Sequence, residues 1–471
     1  MRTKNSNVSA PVDFFFSLLK SFLFTISLFY FVAYAQNGKI EESFYVFDQY
    51  DHYRKVLERN DSIIVDHVTE NGFEVYGPKG LKKYLNLINA RYESLAVVEA
   101  LNKLSAKSYP TYEEVVSRLK KIVEKNSSIM TLFSIGKTVE GRDLWVVKVS
   151  DNVRVDEIEP EFKYISSMHG DEIVGRELLQ NFLEDLGDQY QKNETVKKMI
   201  DETEIFILAS MNPDGSLKIQ RGNGNGVDLN RNFPNILTSN PQPPTNQGGN
   251  RGWQPRRNSN NKADKFEPET LAIMNWHKVR KFSMSANFHG GAVVMNYMWD
   301  SKSDRHPLDE FLQEIALVYA DLNPTMKSSS AFDRGITNGA DWYIVKGGMQ
   351  DYAYLFYNDL QYTIELSQVK YPDFNQIPNF YKENKDSLFS FLKQVQRGKG
   401  FVWKGQSGYV EVVEKSKNKK LGVFQYSDEF YKVLPEGDYQ YKILDRNSNL
   451  KKILEVSVDD RLSFGQKYQI L

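Results

Sequence analysis

Apolar strand-like segments alternate with amphipathic helical patterns from residue 109 to residue 397, and this alternation constrains the fold more than any other feature. Strands interleaved with helices are typical of an α/β domain, in which helices cover a mixed, mostly parallel sheet. The predicted strands are residues 130–134, 144–149, 162–167, 205–209, 282–288 and 362–366. The predicted helices are residues 172–186, 195–202, 269–281, 308–321, 343–345 with their neighbours, and 380–397.

The chain changes character on both sides of this domain. After residue 398, short strands at regular spacing are separated by turn sequences such as Pro435-Glu436-Gly437-Asp438, which predicts a small antiparallel β-sandwich over residues 398–471. Residues 36–108 are highly charged and rich in tyrosine, with a few strand-like residues and one helical stretch. They predict an accessory region or pro-region without a recognisable chemical motif.

Residues 1–35 predict a signal peptide. An apolar run over residues 22–32 leads into Ala33-Tyr34-Ala35, a small-x-small cleavage signature. A permanent membrane anchor is the alternative, but Lys20 shortens the apolar stretch below the roughly 20 residues that a spanning helix needs. We therefore expect a secreted or periplasmic protein without a permanent membrane span. An exported chain without cysteine also favours a bacterial source, since export through an oxidising lumen usually leaves disulfides.

Charge and cysteine content exclude several classes of function. The chain has 60 basic and 61 acidic residues and a net charge of −1, which argues against nucleic acid as a partner. The absence of cysteine excludes disulfides, thiolate nucleophiles, cysteine-based zinc sites and iron–sulfur clusters. Any metal site must therefore use histidine, aspartate and glutamate, and the chain has only 6 histidines.

Two predicted strands run into a histidine that is followed by glycine. His169 comes after one strand, with Glu172 three residues later in the first turn of the next helix, and His289 follows another strand. Active sites of open α/β sheets lie at these carboxyl ends of strands, and two imidazoles with one carboxylate suit a zinc ion that keeps a fourth position open. Taken alone, His169 and Glu172 are a weak signal, and a turn histidine with a glutamate that the helix dipole favours explains them better than a metal site does.

Charged residues occupy two further notable places, a predicted interior strand and a glycine-rich loop. Glu365 lies within the predicted strand 362–366, where an unpaired carboxylate is costly, so it needs a partner or a task such as general base. The alternative is a glutamate on an edge strand that faces solvent. The glycine-rich loop 221–234 carries Arg221 and Arg231, whose planar forks pair with carboxylates and can hold an anionic substrate end.

Together these motifs resemble the zinc metallocarboxypeptidases, specifically the regulatory branch that contains carboxypeptidases N, E, D and M. The matching strings follow the order of that family: His169-Gly170-Asp171-Glu172, Asn212-Pro213-Asp214-Gly215, residues 228–234, residues 285–291, residues 335–343, Gly347-Gly348-Met349-Gln350-Asp351 and residues 364–367. The segment after residue 398 resembles the transthyretin-like sandwich of the same branch.

The resemblance implies a zinc-dependent exopeptidase that acts on peptide or protein C-termini by a water that zinc and a glutamate activate. Its implied residues are His169, Glu172 and His289 as zinc ligands, Glu365 as general base, Arg221 at the scissile carbonyl, and Asn230, Arg231 and Tyr354 at the terminal carboxylate. Asp300 matches the acidic residue with which the branch selects a C-terminal Lys or Arg, and Gln361 is a further candidate for that pocket. For Asp300 the alternative is a solvated turn aspartate beside Lys302 and Asp304. The sequence carries no signal of an oligomeric state.

Some positions depart from the branch. Asp359 and Gln368 stand where a cysteine pair is common, so we expect packing alone to hold the Glu365 strand. Asp171 stands where Asn is common, and its charge favours basic substrates or weakens metal polarisation. Two other functions remain open: a cell-wall stem-peptide carboxypeptidase of the same superfamily, which the intact Asn230-Arg231 pair disfavours, and a binding protein on this fold, which the complete set of required residues disfavours.

Overall fold

The computed structural model describes residues 39–96, 109–237, 266–459 and 467–471. It separates into two compact units, the first ending at Ser94 and the second beginning at Leu95. The predicted signal peptide lies outside the described residues. Among the residues that are described, no helix has both the length and the hydrophobicity that a bilayer crossing requires.

The first unit is a four-stranded antiparallel sheet with two short helices. Its sheet has the order β2-β3-β1-β4, and a β-α-β-β-α-β chain with this order is ferredoxin-like. Side chains of alternate strand residues pack against the second helix to form a small apolar core of its own. Its elements are β1 (Glu42–Phe47), α1 (His52–Leu57), β2 (Ile64–Thr69), β3 (Gly72–Gly77), α2 (Leu81–Leu87) and β4 (Tyr92–Ser94).

The second unit begins with an α/β part, built on a mixed eight-stranded sheet. Its strands are β5 (Met130–Lys137), β6 (Asp143–Val149), β7 (Glu161–Ser166), β8 (Glu204–Leu208), β9 (Phe282–His289), β10 (Val293–Tyr297), β11 (Ile336–Asn338) and β12 (Leu360–Leu366). Its helices are α3 (Tyr112–Lys125), α4 (Val174–Gln189), α5 (Glu194–Asp201), α6 (Pro213–Lys218), α7 (Pro268–Val279), α8 (Asp309–Ala320), α9 (Pro324–Lys327), α10 (Gly339–Trp342), α11 (Met349–Tyr357) and α12 (Ile377–Lys393).

The strand order β11-β10-β12-β9-β7-β8-β6-β5 places a parallel core of β12, β9, β7 and β8 at the centre of this sheet. Helix α4 covers it with a stripe of apolar residues at helical spacing, including Leu178, Phe182 and Leu186. The predicted α/β fold with a mixed, mostly parallel sheet is therefore confirmed.

One predicted helix is displaced: residues 343–345 are not helical, and a short helix, α10, ends just before them at Trp342. Tyr343, expected in a helix, has extended φ and ψ angles of −162° and 154°, and the next helix, α11, begins only at Met349. Gly347 between them has a φ of 72°, and a Cβ there would lie 2.8 Å from the main-chain oxygen of Arg231. The chain therefore turns at a glycine that packs against a distant loop, a contact that local sequence does not reveal.

The C-terminal segment forms a five-stranded, mainly antiparallel sheet. Its strands are β13 (Gly398–Glu414), β14 (Lys419–Val433), β15 (Gly437–Asp445), β16 (Leu450–Val458) and β17 (Tyr468–Ile470). Pairing of β13 with β14 shifts register between Val402 and Ser407, and β13 pairs with β17 before this shift and with β15 after it. Such a break lets one long strand serve two layers, as in the β-sandwich that was predicted. Its buried side chains join the same apolar cluster as those of the α/β part.

Candidate active site

Two histidines and one glutamate converge at the carboxyl ends of β7 and β9. His169 Nδ1 lies 3.1 Å from His289 Nδ1, and Glu172 Oε2 lies 2.9 Å from the first nitrogen and 2.7 Å from the second. All three side chains are buried. Four ligands at zinc bond lengths of about 2.1 Å lie about 3.4 Å apart in a tetrahedron, and the three atoms lie within this distance of one another, close enough to share one ion. The donor set also fits zinc, because two imidazoles and a carboxylate leave one position open.

The local chain explains how these ligands meet. His289 is the last residue of β9, and His169 follows β7 in a turn where Ser167 has a φ of 52°. A Cβ on Gly170 would lie 2.1 Å from the main-chain carbon of Gly215, so only glycine permits this close approach beside His169. Glu172 lies in the turn before α4, two residues earlier than the helix itself.

Asp228, to which the sequence analysis assigned no role, binds the ring nitrogen of His169 that does not face Glu172 and His289. His169 Nε2 donates to Asp228 Oδ1 at 3.0 Å, and Arg221 Nε donates to Asp228 Oδ2 at 2.9 Å. Burial opposes ionisation of Asp228, but the Arg221 guanidinium and the His169 ring outweigh it and hold the pKa of this carboxyl well below its usual range. A carboxylate on the far nitrogen fixes the tautomer and leaves Nδ1 available for a metal. The sequence feature that could have pointed to Asp228 is its position two residues before Asn230.

Glu365 lies inside the sheet. It belongs to β12, which is flanked by β10 and β9, and its register partners are Val294 and the zinc-ligand candidate His289. Only 7% of its surface is exposed. The alternative of an edge-strand glutamate that faces solvent is therefore wrong, and the carboxylate stands on the strand beside a metal ligand.

The arginine-rich loop reaches the same place. Arg221 Nη1 lies 3.3 Å from Glu172 Oε1, and the main-chain nitrogen of Asn230 donates to Asp228 at 2.8 Å. Asn230 Oδ1 accepts from the nitrogen of Met349 at 3.0 Å, which attaches the loop to the start of α11. Arg231 is half-buried. The structure thus brings Arg221 against Glu172 and the main chain of Asn230 against Asp228, while Arg231 donates to the main-chain oxygen of Asn230.

Asp300 is buried beside this loop, where the charge of Arg231 partly offsets the effect of its burial. Its Oδ1 accepts from Gln350 Nε2 at 2.8 Å and from Asn296 Nδ2 at 3.2 Å, and no Lys or Arg of the described residues pairs with it. Burial, followed by the nearby Asp351 carboxylate, raises the pKa of Asp300 well above its usual range. With 3% of its surface exposed, Asp300 is not the solvated turn residue of the alternative interpretation.

Two expected substrate residues are buried and have partners within the protein. Tyr354 is more than one turn into α11, and it is buried against the C-terminal sheet, where Lys432 Nζ lies 3.4 Å from its hydroxyl. Gln361 is fully buried on β12 and donates to Ser285 at 3.1 Å. The glutamine that contacts Asp300 is instead Gln350. The sequence feature that could have pointed to it is its position two residues after Gly348.

A buried ion pair stands where the branch commonly has a cysteine. Asp359, immediately before β12, pairs with Lys163 of β7 and accepts from Ser285 Oγ at 2.7 Å. Neither charged side chain is exposed. The expectation that packing alone holds the Glu365 strand is therefore wrong.

Residues 115–387 match the model of one protein family, described as zinc carboxypeptidase. The chain belongs to this family. It is 38% identical to carboxypeptidase M of Mus musculus over 362 residues, which cover 70% of this chain and 76% of that protein. It is 38% identical to the carboxypeptidase N catalytic chain of Homo sapiens over 326 residues, which cover 62% of this chain and 70% of that protein.

A third relative is much longer than this chain. Carboxypeptidase D of Anas platyrhynchos is 40% identical over 316 residues, which cover 62% of this chain but only 21% of that protein. These three relatives carry the names of the regulatory branch, so the predicted resemblance is confirmed. They come from vertebrates, and they give no support to a bacterial source.

Solved structures show the same fold at low sequence identity. Carboxypeptidase A from Helicoverpa armigera has a TM-score of 0.58 at 19% identity and covers 77% of this chain and 98% of its own. Thrombin activatable fibrinolysis inhibitor has a TM-score of 0.52 at 16% identity and covers 76% and 99%. The similarity establishes the zinc carboxypeptidase fold.

Proposed function

We propose that this chain is a zinc-dependent exopeptidase that hydrolyses the last peptide bond of peptides or proteins and prefers a C-terminal Lys or Arg. The observation that carries the proposal is the convergence of His169, His289 and Glu172 within 3.1 Å of one another, with His289 at the end of β9, the strand that pairs with the strand of Glu365. This arrangement combines a metal site that has an open position with a carboxylate placed to move a proton.

The chain's own residues supply the remaining chemistry. When bound, zinc acts as a Lewis acid that polarises water and the scissile carbonyl. Glu365 takes a proton from the attacking water as its oxygen adds to the carbonyl carbon, and it returns that proton to the leaving nitrogen when the C–N bond breaks. Arg221 donates to the carbonyl oxygen as negative charge develops there. Asn230 and Arg231 hold the terminal carboxylate, which restricts cleavage to the last bond.

The preference for basic residues is supported by the electrostatics of Asp300. A buried carboxylate that has amide donors but no ion-pair partner among the described residues is stabilised by an incoming ammonium or guanidinium. The same carboxylate disfavours acidic C-terminal residues.

Export is the further part of the proposal. The charged start, apolar run and Ala33-Tyr34-Ala35 signature support removal of residues 1–35 during secretion. Mass spectrometry of the protein from the medium of expressing cells should find Gln36 as the first residue. A secreted form that retains residues 1–35 would contradict the proposed cleavage.

The activity is tested by the residues that the protein releases from a mixed peptide library. We expect C-terminal Lys and Arg to be released first, a chelator to stop the release, and added zinc to restore it. Peptides with an amidated C-terminus are the control, because they lack the carboxylate that Asn230 and Arg231 are proposed to hold. Equal turnover of amidated peptides or release that persists without metal would contradict the proposal.

A further inference from the structure

A chain of hydrogen bonds crosses the sheet from β9 to Asp300. Asn287 Nδ2 donates to the main-chain oxygen of Tyr362 at 3.1 Å and to Thr363 Oγ1 at 3.2 Å. Thr363 Oγ1 donates to Gln350 Oε1 at 2.9 Å, and Gln350 Nε2 donates to Asp300 Oδ1 at 2.8 Å. Each of these side chains is at least nine-tenths buried.

The direction of this chain is fixed at its start. A main-chain carbonyl can only accept, so the nitrogen of the Asn287 amide must face Tyr362 and therefore also Thr363. The Thr363 oxygen then accepts, and its proton is left for Gln350 Oε1. With its oxygen engaged in this way, Gln350 can turn only its NH₂ group toward Asp300. A reversed amide would set an oxygen against the carboxylate.

We propose that Thr363 is a positioning residue of the basic-residue pocket, which acts through the Gln350 amide to hold the Asp300 side chain in place for a cationic substrate side chain. This inference rests on the proposed preference for C-terminal Lys or Arg. Thr363 does not need to touch the substrate for this role, because the hydroxyl sets the orientation of Gln350 and the Gln350 N–H holds Asp300. Asn296 donates to the same oxygen of Asp300 at 3.2 Å and supports it from the other side.

The test compares two peptides that differ only in ending with Arg or Leu. Thr363→Val keeps the shape and removes the hydroxyl, and we expect it to lower the ratio of kcat/KM for Arg over Leu about tenfold, as a lost hydrogen bond in a charge-linked chain does. The loss should lie mainly in KM for the Arg peptide. Thr363→Ser, which keeps the hydroxyl, should retain the ratio. Zinc content and melting temperature are measured for each variant, and Thr363→Ala replaces Thr363→Val if the latter does not fold.

A double-mutant cycle separates this role from a merely structural one. Gln350→Met removes the N–H from Asp300 directly, so Thr363→Val should lower the ratio no further in the Gln350→Met background. Independent, multiplying losses would overturn the proposal, as would an unchanged ratio in Thr363→Val alone.

A parent protein that prefers Arg while Thr363→Val has no effect contradicts only the positioning role. A parent that cleaves both peptides equally contradicts the basic preference and the role of Thr363 together, and one that cleaves neither contradicts the proposed function as well.

Discussion

At the scale of single residues, the most informative feature of the site is a buried carboxylate, Asp300, whose burial is not compensated by an ion pair within the described residues. Asp300 accepts two amide hydrogen bonds but forms no ion pair with a cation of the described residues, and the charge of Arg231 only partly offsets its burial. Gly339 leaves room for it, since a Cβ there would lie 1.9 Å from Asp300 Oδ1. A protein that keeps such a group at a cost to stability gains from it only when a positive ligand arrives.

Asp300→Asn should therefore abolish the preference for basic C-termini. The substitution keeps the size and removes the charge, and we expect kcat/KM for Arg peptides to fall about 100-fold, the scale of a lost buried charge pair, while Leu peptides change much less. Steady-state kinetics on matched Arg and Leu peptides measure this. Asp304→Asn is the control, because Asp304 is exposed four residues further along the chain. Equal losses for both peptides would reject the pocket assignment.

Glu365→Gln should separate metal binding from turnover. The amide cannot take a proton from water, so kcat should fall by at least about a hundredfold, within the range for a lost general base. The zinc content, measured by elemental analysis, should stay near that of the parent, because the ligands lie on other elements. Glu310→Gln, an exposed change on α8, serves as the control. A Glu365→Gln variant with near-normal kcat would show that another group is the base.

At the scale of elements, a buried ion pair connects β7 with the start of β12. Burial opposes ionisation of Asp359, but Lys163 and His277 outweigh it and lower the pKa of this carboxyl to about 2. Lys163→Met leaves the carboxylate buried without its cation, and we expect a loss of about 3–5 kcal/mol in the free energy of unfolding. Urea unfolding measures this loss.

The matched control for that prediction is the double variant Lys163→Met with Asp359→Leu. It removes both charges, so much of the lost stability should return, because an apolar pair of similar volume is often as stable as a buried ion pair. Losses that simply add in the double variant would mean that the two charges do not stabilise the β7–β12 connection through each other.

The same elements show what the sequence can and cannot predict. Strands β7, β9 and β12 were predicted within a few residues of their bounds, and the alternation of strands and helices was sufficient to place His169 and His289 at one edge of the sheet. Lys163 was not recognised, because its partner Asp359 lies 196 residues away. Helix α11 was missed because its start depends on a contact of Gly347 with a distant loop.

At the scale of the whole second unit, a buried lysine connects the α/β part with the C-terminal sheet. Lys432 of β14 is fully buried, donates to Asn358 Oδ1 at 2.5 Å after α11, and lies 4.0 Å from the ring centroid of Phe424. No carboxylate of the described residues pairs with it. Burial therefore lowers the pKa of Lys432 to about 7, from 10.5 for an exposed lysine. Tyr354, which also contacts Lys432, thus belongs to the packing between these two parts.

This lysine should make the stability of the protein rise with pH above neutrality. Between its folded pKa of about 7 and its unfolded value of 10.5, the unfolded state binds one more proton than the folded state, so raising the pH favours folding. The slope reaches at most about 1.4 kcal/mol per pH unit. Lys432→Met removes this term, so the free energy of unfolding of the parent should gain on that of the variant from pH 7 to about pH 9. Urea unfolding at each pH measures the difference, with Lys452→Met, an exposed change on β16, as the control. If the stability of the parent and that of Lys432→Met change with pH in the same way, Lys432 has the same protonation in the folded and unfolded states across this range. That result would contradict a lowered pKa of Lys432 in the folded protein.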